Sequence, residues 1–131
     1  MKKKINIGIL GCANIAQRSI IPAISELDAQ FSFAGVASRS QEKADKVAAK
    51  FSTKAFNDYA KLLSDSSLDA VYIPLPNALH AEWVEKSLTR GLHVLVEKSL
   101  ACSLEEVVYL NKLAEKKELA LVEHFQFRFH R

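Results

Sequence analysis

The sequence predicts an α/β domain built on a doubly wound parallel sheet, and three observations carry that prediction. Short runs of apolar and β-branched residues recur along the chain, longer segments of helical character separate them, and the first run ends in a glycine-bearing turn, Gly8-Ile9-Leu10-Gly11-Cys12-Ala13-Asn14-Ile15-Ala16. Runs that are apolar throughout, rather than alternating with polar residues, are expected where helices cover both faces of a sheet. Right-handed crossovers between such strands make them parallel.

Strands are expected at Ile5 to Leu10, Phe31 to Ala37, Ala70 to Ile73, His93 to Val96 and Leu119 to Glu123. Asn14 to Leu27 reads as a helix that Pro22 kinks or splits. In Ser40 to Phe51, Ala44, Val47, Ala48 and Phe51 form an inward stripe, with Glu42, Lys43, Lys46 and Lys50 on a solvated face. A short helix follows at Asp58 to Leu63. Ala78 to Arg90 is helical and ends at Gly91, where a residue without a Cβ suits a left-handed cap. In Ser103 to Lys116, Leu104, Val107, Val108, Leu110 and Leu113 share a face, and Ser103 with Glu106 makes a capping box.

The 131 residues, 49% hydrophobic and 25% charged, suit one globular domain with enough apolar material for a core. The formal charge is +3 and the lysines are scattered outside Lys2 to Lys4, so no clustered basic footprint points to nucleic acid as a partner. The apolar run Ile5 to Ala13 is interrupted by Asn6 and Gly8, and no stretch approaches the roughly 20 apolar residues of a membrane-spanning helix, so no membrane partner is expected. Cys12 and Cys102 lie far apart, without zinc spacing or a disulfide framework, which fits a reducing, cytoplasmic setting. His80, His93, His124 and His130 form no H-x-x-x-H pair, so no metal is expected. A G-x-S-x-G elbow for acyl transfer is also absent.

The first turn meets the dinucleotide pattern G-x-G-x-x-G/A as Gly11, Ala13 and Ala16, with alanine in place of the middle glycine. That pattern needs a first residue able to turn tightly, a small second one where backbone meets pyrophosphate, and a small third one for helix–strand packing. Ala13 adds only a methyl. Asn14 and Ile15 open the helix, whose N-terminus offers free N–H groups and partial positive charge to a phosphate. A tight turn that binds nothing would look similar, so the rest of the chain must decide. At the end of the second strand, Ala37-Ser38-Arg39-Ser40 stands where an NAD site would carry a carboxylate for the ribose hydroxyls. With Ser38 beside it, Arg39 can clamp a 2′-phosphate by charge-assisted hydrogen bonds of about 1.5–3 kcal/mol each, which favours NADP, with NAD as the alternative. The plainer reading is a surface arginine before a helix capped by Ser40.

Three later segments are more specific: Asp69-Ala70-Val71-Tyr72-Ile73-Pro74-Leu75-Pro76-Asn77-Ala78-Leu79-His80, Gly91-Leu92-His93-Val94-Leu95-Val96-Glu97-Lys98, and Glu123 to His130. Together they make the chain resemble the Gfo/Idh/MocA family, named for glucose-fructose oxidoreductase and inositol dehydrogenase, along essentially its whole length. Members pair an N-terminal Rossmann domain with a C-terminal α/β domain. The resemblance thus implies a dinucleotide-binding Rossmann domain over residues 1–124. Residues 125–131 would start the crossover to a C-terminal substrate domain that this chain lacks.

The resemblance also implies cofactor contacts from Pro74, Leu75, Pro76 and Asn77 around the nicotinamide, with His80 facing the site, Glu97 and Lys98 at a strand end, and Gln126 nearby. Chemistry agrees for the loop, because Pro74 and Pro76 stiffen it and donate no N–H, so it can line a cleft at the carboxyl end of a strand. Lys98 takes the family's catalytic position. Beside the positively charged oxidised nicotinamide its own charge would be disfavoured, which brings it towards proton transfer. The family usually has proline next, where this chain has Ser99. Read without the family, His80 is a capping or packing residue, and Glu97-Lys98 is a strand-end ion pair that burial would make costly. Phe125, Phe127 and Phe129 alternate in the tail, and their exposure would favour self-association.

The expected function is an NADP-leaning oxidoreductase that moves hydride between nicotinamide and a sugar-like polyol or ketone, the cofactor supplying the difficult chemistry. The small-molecule substrate would meet the missing domain, so the 131-residue chain should bind cofactor but turn over little, and the full-length protein should be a homo-oligomer. Ala101-Cys102-Ser103 and the tail are similar to members acting on nucleotide-linked or otherwise modified sugars. The alternatives are a non-catalytic nucleotide-binding or sensor module and a member that uses NAD for glycoside hydrolysis. A methyltransferase would leave the proline loop and Glu97-Lys98 unexplained.

Overall fold

The structure, a computed structural model, describes residues 4–13, 16–98 and 100–124, with only the backbone of His124. Six strands form one sheet: β1 (Ile5–Leu10), β2 (Phe31–Ala37), β3 (Ala55–Phe56), β4 (Ala70–Ile73), β5 (His93–Glu97) and β6 (Leu121–His124). Their order is β3-β2-β1-β4-β5-β6, and every neighbouring pair is parallel. The expected doubly wound sheet is therefore present. Strand β3 escaped the sequence reading because two residues are too short to carry any periodicity.

The helices are α1 (Ile21–Glu26), α2 (Gln41–Phe51), α3 (Tyr59–Leu63), α4 (His80–Thr89) and α5 (Leu104–Lys116). A π-helical turn, Ala16–Ile20, leads into α1, and Pro22 falls in the first turn of α1, where its missing N–H forfeits no helical bond. Ser40, Asp58 and Ser103 cap α2, α3 and α5 by accepting from Lys43 N, Ala60 N and Glu106 N. In the α5 cap, the Glu106 carboxylate reaches back to Cys102 N at 3.2 Å. Gly91 adopts φ +82° after α4, as the helix-ending reading required.

Successive strand residues point to opposite faces, so Leu10, Val71 and Ile73 pack beneath α3, α4 and α5, while Ile9, Val36 and Tyr72 pack beneath α1 and α2. Gly8 and Gly35 lie side by side in the β1–β2 register. A Cβ on Gly8 would come within 2.9 Å of Leu68 and one on Gly35 within 2.8 Å of Phe56, so the missing side chains let these residues and Leu62 lie close to the sheet. One expectation is corrected at α5: Leu104 and Val108 are exposed, and Leu110 and Ala114 are the buried positions. The helix lies on α4 and the sheet along a narrow stripe, so the ends of the apolar arc stay in solvent. On the opposite face the cover stops at α1, leaving an apolar hollow of about 640 Å³ between α1 and β6 with Val122 exposed.

Candidate functional site

The strand order reverses between β1 and β4, and at such a switch point the loops leaving the carboxyl ends of the strands diverge to leave a crevice. A cleft of about 740 Å³ lies there, lined by Gly11, Cys12 and Ala13 after β1, by Ser38, Arg39, Ser40 and Lys43 after β2, by Pro74, Leu75 and Pro76 after β4, and by Tyr59. Seven of the residues singled out from sequence thus meet in one place: Gly11, Ala13, Ser38, Arg39, Pro74, Leu75 and Pro76. Asn14, Ile15 and Gln126 lie outside the described residues, as do Ser99, Phe125, Phe127 and Phe129.

Gly11 makes the turn possible. Its φ is +110°, a conformation that L side chains rarely adopt, and a Cβ there would stand 3.1 Å from Leu75 Cδ2. Its N–H donates to Ala37 O at 2.7 Å, which ties the end of β1 to the end of β2. Gln17 closes the turn from the other side, with Nε2 donating to Cys12 O at 3.1 Å and its backbone N to Ala13 O at 3.3 Å. Burial pushes the Cys12 thiol up, against the Ser38 hydroxyl and the Lys43 charge, so it is a neutral lining group.

At the end of β2, Ser38 Oγ accepts from Ser40 N at 3.1 Å and Ser40 Oγ accepts from Lys43 N at 3.3 Å. These two links fold the chain sharply from strand into helix and leave Arg39 at the cleft. Arg39 is thus both the residue preceding a Ser40-capped helix and a wall of the cleft. Lys43 is exposed, as expected of the solvated face of α2, and one turn after Ser40 it also borders the cleft. Cys12, Ser40 and Tyr59 are also lining residues that the sequence reading did not assign to the site. Asp58 caps α3 and thereby places Tyr59 as its first residue. Among the described residues no carboxylate lines the cleft, so its charged lining is cationic.

The β4 loop is held from behind. His80 is fully buried, and its Nε2–H donates to Leu75 O at 2.5 Å, pinning the segment between the two prolines without itself lining the cleft. Asn77 starts the 3-10 turn that leads into α4, and it too is not among the lining residues. The register pairs Ile73 with Val96, so Glu97, the last residue of β5, and Lys98 after it come beside Pro74 and Leu75. Lys98 is exposed at that end, outside the cleft lining. Glu97 is half-buried and accepts from the hydroxyl of Tyr72, a nearly fully buried residue of β4. Burial and the Glu97 carboxylate together hold the Tyr72 phenol far above its ordinary range, so it stays a donor. A tyrosine among aliphatic strand residues was the one sequence signal for this partner. Past Lys98, Leu100 N donates to Glu123 Oε2 at 2.7 Å, which fastens the segment to β6.

A glycine turn whose missing Cβ leaves room at the switch point, with cationic groups at the end of the neighbouring strand, is the design of a dinucleotide-binding Rossmann domain. Residues 5–125 match the oxidoreductase family with an NAD-binding Rossmann fold, Gfo/Idh/MocA, and the chain belongs to that family. It is 42% identical over 130 residues to a dTDP-3,4-didehydro-2,6-dideoxy-alpha-D-glucose 3-reductase of Saccharopolyspora spinosa, covering 99% of this chain and 39% of the reductase. It is 45% identical over 124 residues to D-xylose 1-dehydrogenase (NADP(+)) 2 of Haloferax volcanii, covering 94% of this chain and 38% of that enzyme. A 3-ketoreductase from Actinomadura kijaniata, solved in complex with NADP and TDP-benzene, superposes with a TM-score of 0.91 at 37% identity, over 98% of this chain and 39% of that one. The chain therefore spans about two fifths of the length of these relatives. Among the described residues, no helix is long and apolar enough to cross a membrane, and no group of three or more His, Cys, Asp or Glu could hold a metal ion.

Proposed function

We propose that this chain is the cofactor-binding part of an NADP-preferring, cytoplasmic oxidoreductase acting on a sugar-like alcohol or ketone. The observation that carries the reading is the end of β2, where Arg39, Ser40 and Lys43 line the cleft together without a carboxylate. An extra phosphate on the adenosine ribose brings about two negative charges, which two cations and a hydroxyl would bind and a carboxylate would repel. The Gly11–Ala13 turn would take the pyrophosphate, with Asn14 and Ile15 at the helix entrance, and the Pro74–Pro76 loop would flank the nicotinamide with Asn77 and Gln126 nearby. When bound, the cofactor supplies the hydride acceptor or donor. Lys98, at the strand end beside the loop, would hold or move the proton on the substrate oxygen. Tyr72 would keep Glu97 fixed beneath it. The relatives' substrates, a deoxyhexose joined to dTDP and D-xylose, support a sugar-like substrate. Residues 125–131 would lead to the domain that receives it, in a protein that assembles as a homo-oligomer.

The test is a titration of the 131-residue chain with NADPH and NADH, repeated on Arg39→Asp. NADPH should bind at least tenfold more tightly than NADH to the parent chain, and Arg39→Asp should erase or invert that ratio. Absence of binding by either dinucleotide would sink the cofactor reading. In the full-length protein, Lys98→Met should lower kcat by about 100-fold or more with cofactor affinity unchanged.

A further inference from the structure

Arg39 borders two spaces. One is the cleft just described; the other is a neighbouring hollow of about 470 Å³ lined by Arg39, Asn57, Asp58, Tyr59, Leu79, Glu82 and Trp83. The second hollow carries two carboxylates, Asp58 and Glu82, whereas the cleft carries none among the described residues. Glu82 is already paired with Lys86 at 2.7 Å, so Asp58 is the carboxylate that gives a flexible arginine on this boundary an electrostatic reason to swing away from the cofactor. Tyr59 lines both spaces as well.

Tyr59 is unable to follow such a swing. Only 8% of it is exposed, it starts α3 behind the Asp58 cap, and its ring meets Trp83 edge-on with centroids 5.1 Å apart and planes at 84°. Its hydroxyl is therefore a fixed point at the boundary, where Arg39 lines the same two spaces and its guanidinium acts on the phenol. Burial pushes the phenol up from its ordinary value, which outweighs the opposing effect of Arg39, so at neutral pH the group is an uncharged acceptor.

We propose that Tyr59 is a positioning residue for cofactor choice: its hydroxyl holds the Arg39 guanidinium at the dinucleotide cleft, against the pull of Asp58, and so sets the preference for a 2′-phosphate. This inference rests on the assignment of Arg39 to that phosphate. A residue the sequence offers only as a helix start thereby becomes a determinant of specificity without touching the phosphate.

Tyr59→Phe removes the hydroxyl and keeps the ring on Trp83, so the fold should survive, which an unchanged thermal melt would verify. Dissociation constants for NADPH and NADH, measured on the 131-residue chain, should then show NADPH binding weakened roughly three- to tenfold and NADH binding unchanged, the scale of one net hydrogen bond. In an Arg39→Met background, adding Tyr59→Phe should change neither constant further. A Tyr59 that packed or touched the adenosine directly would instead weaken both dinucleotides equally in either background, and that result overturns the inference. An unchanged NADPH-to-NADH ratio in Tyr59→Phe overturns it too. Should Arg39→Met alone leave the ratio untouched, the assignment of Arg39 itself fails, and the two failures are thereby told apart.

Discussion

The two ends of this sheet are built for different purposes. At the amino ends of the strands the chain closes on itself through polar links between segments distant in sequence: Asn6 N donates to Asp69 Oδ2 at 2.9 Å, Asn6 Nδ2 to Ser67 O at 2.7 Å, and Thr53 Oγ1 to Phe33 O at 2.9 Å. Lys54 and Asp65 add an ion pair at 3.7 Å. At the carboxyl ends the same strands open into loops with a positive-φ glycine, two prolines and a cationic lining. Polar groups at the first end satisfy one another. Several at the second end, Arg39, Ser40 and Lys43 among them, line the cleft. The difference teaches that one α/β scaffold separates the residues that hold it together from those that bind, so the two sets should be separable by mutation.

Gly11→Val should break the binding end most severely. A β-branched side chain at φ +110° costs about 1–3 kcal/mol of strain and would press on Leu75, so calorimetry should find no binding of NADPH or NADH, alongside a lower melting temperature. The opposite result should come from Asp69→Ala at the closed end. It leaves Asn6 N–H without its acceptor, costs roughly 1–2 kcal/mol in denaturant unfolding, and leaves both dinucleotide affinities unchanged. Loss of affinity in that variant would show that the two ends are coupled.

The smallest effect concerns acid. Hydrogen bonds from the Ser67 hydroxyl and backbone, with Lys54 nearby, hold the Asp65 carboxyl below its ordinary value. A depressed carboxylate contributes stability that is present above the unfolded-state value and is lost as pH falls through the folded-state value. The parent chain should therefore lose more of its melting temperature between pH 5 and pH 3 than Asp65→Asn does, with equal NADPH affinity at pH 7. Matching acid profiles would remove Asp65 from the stabilising set.

Much of this was legible in the chain. Continuous apolar runs predicted the parallel sheet because strands buried on both faces have no polar side to alternate with, and the caps at Ser40, Asp58 and Ser103 lie where short polar side chains precede helical periods. The Gly11 turn, Arg39 and the Pro74–Pro76 loop were legible as local motifs, since each is a contiguous stretch with its own backbone requirement. Lys43 was read correctly as solvated but not as part of the site, because helical phase shows which side of α2 it occupies and not that the cleft reaches that side. Tyr59 and Tyr72 were not singled out from the sequence, because the charged residue each one meets, Arg39 and Glu97, is distant along the chain.

The sequence alone therefore determined the class of fold, the glycine turn after β1 and the sign of the charge at the end of β2, all properties of neighbouring residues. Only the tertiary structure decided which of those residues share one cleft, that His80 supports the proline loop from inside, and that Tyr59 lines a hollow with Arg39 and two carboxylates. The physical reason is that a hydrogen bond or a cleft wall is defined by distance in space. In a parallel sheet, strands adjacent in space are joined by long crossovers, so the neighbours at a strand end are far apart in the chain.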